Sequence, residues 1–143
     1  FMSVRGLGDV YKRQATFPDG MKAIGDYIHS QGLKFGIYNS AGTMTCEGAL
    51  EAFITRDDVN DFVDWGVDLL KYDNCFNEGI PSKERYENMR NALSSASRPI
   101  FFSICNWGLE DVTEWGANTG NSWRTAGDIT PTWGSVKYNF EMN

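Results

Sequence analysis

Histidine is almost missing from this chain: His29 stands alone in 143 residues. That scarcity excludes a good deal of chemistry. A serine or cysteine nucleophile needs a general base beside it, most often an imidazole, and a zinc site needs several spaced His or Cys ligands. Basic charge is short as well, 13 Lys and Arg against 19 Asp and Glu, so the clustered cationic surface that grips nucleic acid is not there. No apolar run approaches the ~20 residues of a membrane-spanning helix. No glycine-rich phosphate loop follows any strand-like run, which argues against a doubly wound nucleotide-binding sheet. The three cysteines, Cys46, Cys75 and Cys105, leave at least one unpaired, and their number alone does not fix a redox compartment.

What the chain does have is aromatic side chains, 5 Trp, 6 Tyr and 9 Phe. Rings of this kind suit sugar faces as well as a core. The length allows one ordinary domain. Asp9 to Gln14 resembles the conceptual translation of a sequencing-library adapter, with Phe1 to Gly8 as its usual companion. Residues 1–14 are therefore set aside as an assembly artefact and 15–143 taken as the domain, with the natural N-terminus and any signal peptide upstream. The excluded stretch is basic, so the acidity belongs to the domain.

Along that domain, Pro18-Asp19-Gly20 leads into a helix with Met21, Ile24 and Ile28 on one face, ended by Gly32. His29, near its C-terminus, reads as a ring favoured there by the helix dipole. Leu33 to Tyr38 is a strand, followed by a long loop to Gly48 that carries Cys46 and is expected to line something. A helix from Asp57-Asp58 with Val59, Phe62 and Val63 inward runs to Gly66. Val67 to Tyr72 then reads as a buried parallel strand delivering Asp73, Asn74 and Cys75 at its end. On that pattern alone Asp73 is equally a turn-opening residue and a working carboxylate.

After a loop to Pro81, Ser82 caps a helix to about Ala96 with Tyr86, Met89, Arg90 and Leu93 along one side and its charges Lys83, Glu84, Arg85, Glu87 and Arg90 read as a solvated face. Pro99 to Ile104 is a third strand, ending in Cys105-Asn106-Trp107-Gly108. A short helix covers Leu109 to Trp115. Ser122 to Ile129 is a fourth strand that again delivers an aspartate, Asp128, and a helix starts after Thr130. Strand, loop and helix in alternation predict a parallel sheet with right-handed crossovers. Polar clusters at every strand end favour a (β/α) barrel, of which four units make half. Two strand-end carboxylates, Asp73 and Asp128, without histidine or metal ligands, are what glycoside hydrolysis uses.

The stretches Gly32–Tyr38, Thr45–Gly48, Trp65–Cys75, Arg98–Ile100 and Trp123–Ile129, in that order, resemble the α-galactosidase family of retaining glycoside hydrolases (melibiase type, glycoside hydrolase family 27). The resemblance implies a partial (β/α)8 TIM barrel, about strands 3–6, forming the central part of a catalytic domain. It implies Asp73 as nucleophile and Asp128 as acid/base, Tyr38, Lys71 and Arg124 against the sugar, and a Cys46–Cys75 disulfide with Cys105 a free buried thiol. Closing that loop stabilises by about 3 to 4 kcal/mol in the chain-entropy model. Asn106 stands where many relatives carry glutamate beside Cys and Trp, and its amide is expected to bond the sugar 2-substituent; Trp107 is expected among the substrate-binding residues. No cofactor is implied, and the partner is a galactose-containing carbohydrate. The disulfide and the habits of such enzymes point to a secreted, periplasmic or lysosome-like location. Alternatives on the same scaffold are an α-N-acetylgalactosaminidase, a β-L-arabinopyranosidase or a non-catalytic sugar-binding relative. The fragment alone, with unpaired sheet edges, is expected to be unstable or oligomerising and inactive.

Overall fold

A computed structural model of the chain describes residues 17–48 and 56–143; residues 1–14 lie outside them. Helix α1 (Gly20–Ser30) leads to β1 (Gly36–Ser40), α2 (Arg56–Asp64), β2 (Leu69–Asp73), α3 (Ser82–Ser94), β3 (Phe101–Cys105), α4 (Val112–Trp115), β4 (Ser122–Trp123) and α5 (Trp133–Glu141). The four strands form one parallel sheet in the order β1-β2-β3-β4. Among the described residues no helix is long and apolar enough to cross a membrane.

The two faces of the sheet are chemically different, because successive side chains alternate. Ile37, Leu70, Tyr72, Phe102 and Ile104 point to the helices and are buried with Val59, Phe62, Tyr86 and Met89. Tyr86 fixes this layer: its ring meets Tyr72 edge-on with centroids 5.5 Å apart, and its hydroxyl donates to the Tyr72 carbonyl at 3.0 Å. The other face carries Tyr38, Lys71, Ser103 and Ser122 in one cross-strand row and Ser40, Asp73 and Cys105 in the next. It is less covered, and Phe101 on it is 44% exposed.

Three expectations change. The fourth strand stops at Trp123 instead of Ile129, because β3 is its one partner and the ladder ends with Arg124 N–H donating to the Ile104 carbonyl at 3.1 Å. Ser82 is the first residue of α3 and makes no cap bond of its own; Pro81 precedes it. His29 is more than a dipole partner: its Nε2 lies 2.7 Å from Asp68 Oδ2, at the foot of β2. The same carboxylate accepts from the Phe35 N–H at 2.9 Å and from Arg98 Nη2 at 2.8 Å. That cluster ties α1, β2 and the approach to β3 together at the end of the sheet opposite Asp73.

Candidate active site

The C-terminal ends of the parallel strands collect the polar residues, and Asp73 is the centre of them. Its side chain ends β2, with the residue 7% exposed. Oδ1 accepts from the Asn74 backbone N–H and from Trp107 Nε1, both at 2.9 Å; Oδ2 accepts from the Tyr38 hydroxyl at 2.9 Å. Three donors and no acceptor match the needs of an ionised carboxylate, which can only accept. Oδ2, with one donor, retains lone-pair capacity. Burial and the bond to Asp73 push the Tyr38 hydroxyl well above its ordinary range, so it stays a donor. Lys71 Nζ stands over the Tyr38 ring, 5.5 Å from its centroid.

Each of these donors depends on a local backbone feature. Tyr38 and Asp73 come from adjacent strands, one row apart, on the same face. Trp107 reaches Asp73 from a loop in which Trp107 has φ 62°, followed by Gly108 at φ 79°. Only glycine fits at 108, since a Cβ there would lie 2.1 Å from the Thr125 carbonyl oxygen. Phe76 and Glu78 after β2, and Glu110 and Asp111 after β3, are also left-handed. Backbone strain of this kind clusters where a site is built. The loops after β1 and β2 are joined by the Cys46–Cys75 disulfide, Cα to Cα 5.1 Å, and Gly42 packs where a Cβ would meet the Cys75 carbonyl oxygen at 2.1 Å.

The remaining expected site residues fall into two groups. Arg124 Nη1 donates to Asp128 Oδ1 at 2.6 Å, and the Asp128 side chain is 90% exposed. The Arg124 bond and charge hold Asp128 below the usual carboxylate range, with Lys71 adding to the effect. Cys105 is free and buried beside Asp73; burial, and then the Asp73 charge, push its thiol up to about 11. Asn106, by contrast, shows no exposed surface: its Nδ2 donates to the Leu109 carbonyl at 2.6 Å and its Oδ1 has no partner among the described residues. Trp107 is occupied by Asp73 through its indole nitrogen. For a metal, the one trio of ligand types close together among the described residues is Cys46, Asp73 and Cys75, and its two sulfurs are bonded to each other.

Sequence reasoning missed Arg85, placed on the solvated face and in fact 5% exposed behind the Asp73 loop. The missed signal is the spacing: Ser82, Arg85, Tyr86 and Met89 are all buried, at i, i+3, i+4 and i+7.

A parallel sheet flanked by helices, with a donor-wrapped carboxylate at the end of a central strand, is part of a (β/α) barrel seen at the end where such barrels carry their active sites. The sequence profile of the melibiase family described as Alpha galactosidase A matches residues 6–142, and the chain belongs to that family. Alpha-galactosidase 3 of Arabidopsis thaliana is 52% identical over 132 residues, 90% of this chain and 30% of that protein. The alpha-galactosidase of Coffea arabica is 50% identical over 131 residues, 90% of this chain and 35% of that protein. Among solved structures, the α-galactosidase of Saccharomyces cerevisiae with raffinose superposes with a TM-score of 0.79 at 40% identity, covering 82% of this chain and 27% of that one. The chain thus spans about a third of the length of the curated relatives it matches.

Proposed function

We propose that the protein to which this chain belongs removes terminal α-D-galactosyl residues from oligosaccharides or polysaccharides with retention of configuration. The observation that carries the reading is Asp73: a strand-end carboxylate oriented by Tyr38, Trp107 and the Asn74 N–H, with one oxygen left able to attack. In the first step Oδ2 of Asp73 bonds to the anomeric carbon as the glycosidic bond breaks, and Asp128 gives its proton to the leaving oxygen. In the second step water attacks the same carbon, its proton passes to Asp128, and Asp73 departs as carboxylate. Lys71 and Arg124 supply positive charge and donors to the sugar hydroxyls.

Arg124 holds Asp128 ionised, the state that serves the second step. Proton donation in the first step needs the neutral acid. Burial of this exposed carboxylate by a bound sugar raises its pKa in the required direction. The relatives at 50% and 52% identity are alpha-galactosidases, which supports galactose over the other sugars that this scaffold could take, and no second reading is retained. The disulfide supports an oxidising location, secreted, periplasmic or lysosome-like. Residues 1–14 are proposed to lie outside the domain on the adapter-like run Asp9 to Gln14, although the family match begins at residue 6.

The test is made on the complete protein. Asp73→Gly should abolish turnover of 4-nitrophenyl α-galactoside, and added azide should restore it with β-galactosyl azide as product, from a single inversion. Undiminished turnover in the variant, or an azide product of retained configuration, rejects the nucleophile assignment.

A further inference from the structure

Arg85 sits on α3 behind the nucleophile strand, and its guanidinium is spent on neutral acceptors. Nε donates to the Ile80 carbonyl at 2.8 Å, Nη1 to the Ala41 carbonyl at 2.8 Å, and Nη2 to Asn74 Oδ1 at 2.5 Å, with Ser82 Oγ 3.3 Å away. Its counter-charge acts at one remove: Ser82 passes its backbone N–H and its hydroxyl to the two carboxylate oxygens of Glu110, each at 2.8 Å. A buried cation arranged this way is a poor means of simply filling a core, where an apolar side chain of similar volume is as good or better.

What the arrangement does is join the three loops that surround Asp73. Ala41 follows β1, Asn74 and Ile80 bracket the loop after β2, and Glu110 belongs to the loop after β3. Two of these contacts lead straight on to the nucleophile. Asn74, whose side chain accepts from Arg85, donates its backbone N–H to Asp73 Oδ1 at 2.9 Å. Ala41, whose carbonyl accepts from Arg85, donates its N–H to the Asp73 carbonyl at 2.8 Å. Between the bracketing residues, Phe76 and Glu78 hold left-handed φ values of 50° and 53°, conformations that persist only where the surroundings over-determine them.

We infer that Arg85 is a positioning residue for the nucleophile: from outside the site it clamps the loops after β1 and β2, with Ser82 beside it holding Glu110 of the loop after β3, and so sets where the Asp73 carboxylate stands. The inference rests on Asp73 being the nucleophile. Arg85 itself touches neither substrate nor the reacting atoms. Lysine cannot replace it, since a single ammonium cannot span acceptors that a planar fork reaches in three directions.

In the complete protein, Arg85→Lys is expected to lower kcat for 4-nitrophenyl α-galactoside about tenfold or more, because a misplacement of about 1 Å costs rate rather than affinity. KM should stay within about twofold, binding being left to residues Arg85 does not hold. A role confined to stability gives the opposite pattern, parental kcat with only a lowered unfolding midpoint, and that result overturns the inference. If Arg85→Lys does not fold, Asn74→Ala decides. It keeps the N–H to Asp73 but cuts the link to the guanidinium, and the same fall in kcat is expected; unchanged kcat overturns the inference. Asp73→Asn is assayed alongside. If it retains turnover, the nucleophile reading fails and the clamp falls with it. An inert Asp73→Asn beside a fully active Arg85→Lys overturns the clamp alone.

Discussion

Replacing Asp68 by alanine in the complete protein is expected to lower the unfolding free energy by about 2 to 4 kcal/mol and to leave kcat unchanged. The side chain is 12% exposed and holds four donors: His29 at 2.7 Å, the Phe35 N–H at 2.9 Å, Arg98 at 2.8 Å and Lys34 at 3.4 Å. Alanine orphans the buried Phe35 N–H, worth about 1 to 3 kcal/mol. His29 and Arg98 are about a third exposed and regain water, so each pair falls nearer the surface value, about 1 kcal/mol or less. Lys34, 85% exposed, adds little. Asparagine keeps an acceptor for Phe35 and should recover about 1 to 2 kcal/mol of the loss. Urea unfolding of parent, Asp68→Asn and Asp68→Ala measures both steps. Acid behaviour supplies a further check. Burial pushes Asp68 up, but the Phe35 N–H, His29 and Lys34 outweigh it and hold the carboxyl below its ordinary range. Its contribution is therefore present above the unfolded value of about 3.9 and lost as pH falls through the lower folded value, so Asp68→Asn should flatten the acid limb of the stability curve. Activity is spared because five residues of strand, roughly 16 Å, separate Asp68 from Asp73. A loss under about 1 kcal/mol for alanine, or asparagine as costly as alanine, refutes the reasoning.

Trp107→Phe removes one of the donors that orient Asp73; a carboxylate misplaced by about 1 Å costs on the order of tenfold or more in kcat, and steady-state rates equal to the parent would contradict the role. Cys105, with its thiol at about 11, should resist iodoacetamide at pH 8 in the native protein and react once unfolded; labelling at the rate of a free thiol speaks against its burial. Because that pKa is raised, the thiol's contribution to stability is present below its ordinary 9.0 and lost as pH rises toward about 11, and Cys105→Ser should blunt the alkaline loss. Arg124→Ala frees Asp128 from the charge that depresses it, so the alkaline limb of kcat/KM should move to higher pH; a move to lower pH would exclude Asp128 as the proton donor.

The parallel order and the strand that delivers Asp73 were legible because short apolar runs record them locally, whereas the pairing of Cys46 with Cys75 was legible only through the family resemblance. The His29–Asp68 contact was not, since it joins residues 39 apart through the sheet, and dipole arguments about one helix cannot see it. Arg85 is hidden for a different reason: its charge argues for solvent, and only its spacing with Ser82, Tyr86 and Met89 marks it as lying on the inward side of α3. Ser122 to Ile129 has the composition of a strand, but composition cannot supply a ladder partner, and pairing ends at Trp123. Asn106 is expected at the sugar from the family position where many members carry glutamate, and the turn of the backbone through Trp107 and Gly108 sends Asn106 and Trp107 to different partners.

The strands lie in the sheet in the order in which they are made. During synthesis each one can dock on its predecessor as it emerges, without waiting for distant chain. The Cys46–Cys75 bridge spans one such step, from the loop after β1 to the loop after β2. Oxidation can therefore lock the backbone beside Asp73 before β3, Trp107 or Arg124 has left the ribosome. The residues translated later then assemble around an Asp73 loop that is already tethered.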